Sequence, residues 1–141
     1  MLPALRVVAV LHALSFFLQP ILAGMFLSGQ DQAVDSHATN AMILILLCLV
    51  MTVLAFPVWR RGQLPRAAFT NAAGLLVAEA VQMMAGFAHL MWLHIPLGVI
   101  MMGGIASFMP LVMRPQAGRA DRRRETAGAS VTVLPTAEAG E

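Results

Sequence analysis

Two of the four histidines open apolar runs in matching fashion. His37 stands in "DSHATNAMILILL" (35–47) and His94 in "LHIPLGVIMMGG" (93–104). A neutral imidazole binds iron through one ring nitrogen, and two imidazoles at one depth on facing helices are what a six-coordinate haem in a helix bundle requires. The other ring N–H then needs an acceptor; at His37 this could be Asp35, Asn40 or a backbone carbonyl. His89 precedes His94 by a few residues, and three imidazoles at 37, 89 and 94 would also suit zinc or copper. The plain alternative is a set of histidines at the ends of apolar helices that bind nothing. No Cys-x-x-Cys-His motif exists, so a covalently attached c-type haem is excluded. The single cysteine, Cys48, lies inside an apolar run and reads as a small packing residue.

A second group of polar residues is embedded deeper. Glu79 falls near the middle of its apolar run, where an ionised carboxylate is costly. His12 is its natural ionisable partner, entering the first run from the same side. With Gln19 and Gln82 the two residues form a candidate proton relay or transport site. The alternative is a protonated or hydrogen-bonded glutamate that ties helices together. The eleven methionines show no repeated ligand motif and read as packing residues.

The elements that must carry these side chains follow from composition. The chain has 141 residues, of which 59% are hydrophobic and 11% charged, and its mean hydropathy is +0.77. A water-soluble domain of this size has no means of hiding so much apolar surface. The excess sits in four continuous runs, over 5–27, 41–59, 67–92 and 94–113. Each comes close to or exceeds the roughly 20 residues that cross a ~30 Å hydrocarbon layer as a helix. None alternates as a barrel strand would. The sequence therefore predicts an all-α integral membrane protein, a four-transmembrane-helix bundle over 1–114. The Pro-, Gly- and Arg-containing segment 115–141 reads as a disordered cytoplasmic tail.

All nine basic residues are arginines. Arg6 precedes the first run, "WRRGQLPR" (59–66) joins the second to the third, and "RPQAGRADRRR" (114–124) follows the fourth. The positive-inside rule then puts both termini and the middle loop in the cytoplasm, the protein in the cytoplasmic membrane, and His37 and His94 toward the outer face. The all-Arg, Ala- and Gly-rich composition fits a GC-rich bacterial genome. Nothing supports nucleic-acid binding, since the basic residues flank the spans and no aromatic-studded basic surface accompanies them.

The two halves repeat a pattern. "FLQPILAGMFLSG" (17–29) leads to His37, and "AVQMMAGFAHLMW" (80–92) leads to His94. Each carries a glutamine (Gln19, Gln82), an Ala-Gly pair, an outer turn and a histidine, followed by a small residue one helical turn on (Ala41, Gly98). This predicts two tandem hairpins related by a pseudo-two-fold axis along the membrane normal. The pattern, over about 17–107, resembles one four-helix half of the haem A synthase family. The resemblance implies a haem flanked by histidines of the second and fourth helices, here His37 and His94. "DSH" (35–37) is similar to an acidic residue preceding a ligand in that family, although Asp35 is not at the family spacing. The chain also lacks the second half of the full enzyme, so the resemblance implies a b-type haem protein on a related half-bundle rather than haem A synthesis.

No nucleophile–base pair, phosphate loop or hydrolytic metal motif appears, which leaves no enzyme class indicated. Three readings stay open. One is a small membrane protein binding haem b through His37 and His94, for electron transfer or respiratory assembly. Another is a proton or small-solute transport module using Glu79. The third is a structural accessory subunit without a cofactor. The bilayer is the one partner common to all three; a homodimer or a larger membrane complex is compatible with each.

Overall fold

The computed structural model describes residues 1–114. It is all-helical: α1 (Leu2–Leu27), α2 (Gln32–Arg60), α3 (Arg66–Phe87) and α4 (Met91–Met113). The tail expected over 115–141 lies outside the described residues. Each helix is long and apolar enough to cross a membrane; even the 22 residues of α3 extend about 33 Å at 1.5 Å per residue.

Buried positions recur at alternating intervals of three and four, which is how a helix keeps one stripe on a neighbour. The stripes run Leu5, Ala9, His12, Phe16 on α1; Leu44, Cys48, Met51, Ala55, Val58 on α2; Ala68, Ala72, Leu75, Glu79 on α3; and Met101, Ile105, Phe108, Val112 on α4. Alanines in the stripes let backbones approach closely. The helices contact in a ring, α1 to α2, α2 to α3, α3 to α4 and α4 back to α1, and the α1–α4 seam is the sparsest. Among the described residues, the diagonal pairs α1/α3 and α2/α4 have no close backbone approach. Whatever joins the diagonals is therefore side chain.

The boundaries differ from those expected at several helix ends. α2 begins at Gln32 rather than 41, leaving only residues 28–31 to link it to α1. The polar stretch that reads as a loop is the solvated first turns of the helix, where Asp35 complements the partial positive charge of the N-terminus. Gly29 makes the tight reversal possible with φ +91°. α3 stops at Phe87 rather than 92 because His89 adopts a left-handed φ of +57°, and α4 starts three residues early, at Met91. α1 likewise starts at Leu2, with Pro3 in its first turn where a missing N–H is harmless.

Candidate functional site

The two histidines singled out by position are held by one repeated clasp. His37 Nδ1–H donates to the backbone carbonyl of Gln19 at 3.2 Å, and His94 Nδ1–H donates to that of Gln82 at 2.9 Å. Gln82 returns the bond, its side-chain nitrogen donating to the His94 carbonyl at 2.7 Å. Gln19 does likewise in the amide orientation that satisfies both its ends, donating to the His37 carbonyl at 3.2 Å and accepting from the Ala41 N–H at 3.2 Å. The first hairpin thus repeats in α1–α2 what the second does in α3–α4. The acceptor for His37 is the Gln19 carbonyl; Asp35 is exposed. Asn40 is committed elsewhere, donating to Ser15 O at 2.8 Å and accepting from Ser15 Oγ at 2.6 Å.

A carbonyl oxygen only accepts, so each Nδ1 carries a proton toward it, and Nε2 is the ring nitrogen that lies outside the clasp. The ring centroids are 6.1 Å apart with planes inclined at 58°. Two imidazoles bound on opposite sides of one metal ion, with metal–nitrogen bonds of about 2 Å, place their centroids about 6 Å apart. The pair therefore spans the α2/α4 diagonal at a separation that one ligated metal would give.

A cavity of about 240 Å³ adjoins the pair. His37 and His94 line it together with Gln19, Gln82, Glu79 and small residues Ala23, Ala41 and Gly98. Residues of α1 and α4 face each other across it, along the seam where these helices touch least. Glycine is required where the clasp is tightest. A Cβ at Gly86 would stand 3.0 Å from His94 Cε1 and 3.2 Å from Nδ1, and one at Gly98 would stand 3.0 Å from Gln82 Nε2.

The other diagonal is joined by a second polar pair. His12 Nε2 on α1 lies 2.5 Å from Glu79 Oε1 on α3, with both side chains buried. Cys48 on α2 joins them: one ligand atom from each of the three residues lies within 4.8 Å of the others. Sequence reasoning missed Cys48 as a member of this group, although its place on the 44–48–51–55 stripe points it inward. Glu79 Oε2 and Gln82 Oε1 are buried without a hydrogen-bond partner. Both residues line the cavity, so the polar floor of one site is a wall of the other.

His89 does not join His37 and His94. It sits exposed in the α3–α4 turn, its Nδ1–H donating to Phe87 O at 3.0 Å. The sole group of three metal-ligating side chains among the described residues is the His12–Cys48–Glu79 group. Asn71 donates to Ser107 Oγ at 2.9 Å and so ties α3 to α4 away from the cavity.

Chemically, the upper pair brings two imidazoles within 6.1 Å of each other, and the lower pair brings an imidazole and a carboxyl group into hydrogen-bond contact. Comparisons with family models, with curated proteins and with solved structures return no match to this chain.

Proposed function

We propose that this chain is a multi-pass membrane protein that holds a b-type haem between His37 and His94 and passes electrons through it. The observation that carries the reading is the pair of neighbouring imidazoles, 6.1 Å between centroids, each with Nδ1 on a backbone carbonyl. Outer-shell acceptors of this kind set the tautomer of a ligating histidine and raise its basicity. The small residues Ala23 and Ala41 line the cavity beside the pair, and the sparse α1–α4 seam borders it. A haem held there would take His37 and His94 as its protein ligands and would supply one-electron chemistry.

The membrane setting is supported by four apolar helices whose outward side chains are apolar as well, among them Leu14, Val53, Val77 and Ile100. The arginine distribution supports cytoplasmic termini, putting the haem near the outer face. Titrating haem into detergent-purified protein tests the reading. One equivalent should produce a low-spin six-coordinate spectrum, and His37→Ala and His94→Ala should each abolish it. A chain that takes up no haem, or takes it up equally well without either histidine, refutes it.

A further inference from the structure

We propose that the His12–Glu79 pair is a redox-linked proton site, taking up one proton for each electron delivered to the centre between His37 and His94. This rests on the haem reading and gives it a chemical consequence.

The two polar pairs occupy crossed diagonals of one bundle and share one cavity. Glu79 lies one helical turn from Gln82, the residue whose carbonyl holds His94, so the two sites are joined through a single stretch of α3. An electron arriving in a low-dielectric interior adds a negative charge that little water can screen. Glu79, which lines the same cavity as His37 and His94, is a group able to compensate. His12 Nε2 and Glu79 Oε1 are in hydrogen-bond contact at 2.5 Å. Glu79 Oε2 has no partner and is the open position for a second proton.

The step balances simply. With a haem held between His37 and His94, an external one-electron donor would supply the electron and water would supply one proton, taken up at Glu79 Oε2. The site gains no net charge. Reoxidation releases the proton. The titratable groups that face Glu79 are few: His12 from α1 and Cys48 from α2, with His94 the one titratable residue on α4.

The test is a spectroelectrochemical titration of the haem-loaded full chain over a series of pH values. Each pH unit is a tenfold change in proton activity, and one proton per electron converts this to a fall of about 59 mV in midpoint potential per unit. The proposal expects a slope approaching that value over some pH window. Glu79→Gln should remove the slope while the bis-histidine spectrum persists, and Glu79→Asp, which keeps a carboxyl group, should restore a slope in a displaced window. A redox-difference infrared spectrum should show a carboxyl C=O band that shifts in D2O and is absent from Glu79→Gln. A pH-independent potential in the haem-loaded wild type, or a slope unchanged in Glu79→Gln, overturns this proposal and leaves the haem reading standing. Failure of the wild type to bind haem overturns both.

Discussion

His37 and His94 face each other at 6.1 Å between ring centroids although α2 and α4, which carry them, have no close backbone approach. Two side chains reaching across the open diagonal of a four-helix ring make a site of the ring's centre. The crossed contact, His12 to Glu79 from α1 to α3, does the same one level deeper. Each prediction below tests one part of this arrangement.

Gly86 should be intolerant of any side chain. Its added Cβ would stand 3.0 Å from His94 Cε1 and 3.2 Å from Nδ1, so the imidazole would have to shift by a few tenths of an ångström against its bond to the Gln82 carbonyl. Gly86→Ala is expected to weaken haem binding by about 10–100-fold, the usual consequence of disturbing the support of a metal ligand. Gly86→Val should do worse. Gly24, the matching residue of the first hairpin, has open space about it, so Gly24→Ala should leave haem affinity within about twofold of wild type in the same titration, small against the usual outer-shell effect.

The buried pair should behave as a pair. Removing one partner strands the other in an apolar interior, an effect of about 3–5 kcal/mol. Replacing both by apolar residues of similar volume removes the stranded group. Unfolding measurements on Glu79→Leu, His12→Leu and the double variant should therefore show the double variant more stable than the sum of the single losses. Strict additivity would mean that the 2.5 Å contact carries no coupling.

Asn40 holds α1 against α2 through its two bonds with Ser15. Side-chain bonds between membrane helices average about 0.6 kcal/mol and reach about 1.7. Asn40→Ala should lower stability within that range and leave haem ligation intact, because the His37 acceptor is the Gln19 carbonyl. Loss of the bis-histidine spectrum in this variant would show that Asn40 supports His37 directly.

Topology is checked with the single native cysteine as an internal control. Cys48 is fully buried and should resist a membrane-impermeant maleimide. Cysteines introduced singly at Gln30 and Ala88, in the two short turns, should label from one face of sealed vesicles. One at Gln63, between α2 and α3, should label only from the other. Labelling of 30 and 88 from opposite faces would separate His37 from His94 and dissolve the site.

Much of this was readable from the letters. Four apolar runs predict four helices, and the glutamine–histidine echo between the halves predicts where the clasps stand. The helix ends were not readable, because polar residues such as Asp35 and Ser36 serve equally in a loop or in the hydrated first turns of a helix. The deeper site was half visible. Glu79 and His12 stand out as charges in apolar surroundings, but Cys48 looks like any small core residue until the three-and-four spacing is followed across helices. That spacing also aligns Leu44 with Met101, Cys48 with Ile105 and Met51 with Phe108, all buried, and so extends the repeat well beyond its histidines. The acceptors for the imidazoles are backbone carbonyls, which every residue possesses, so no letter announces them.

The most direct measurement is the electron paramagnetic resonance spectrum of the oxidised, haem-loaded protein beside its His37→Ala and His94→Ala variants. The account predicts a low-spin ferric signal from two imidazoles in the wild type, replaced in either variant by a high-spin signal or by no bound haem. A low-spin signal that survives the loss of either histidine would contradict it.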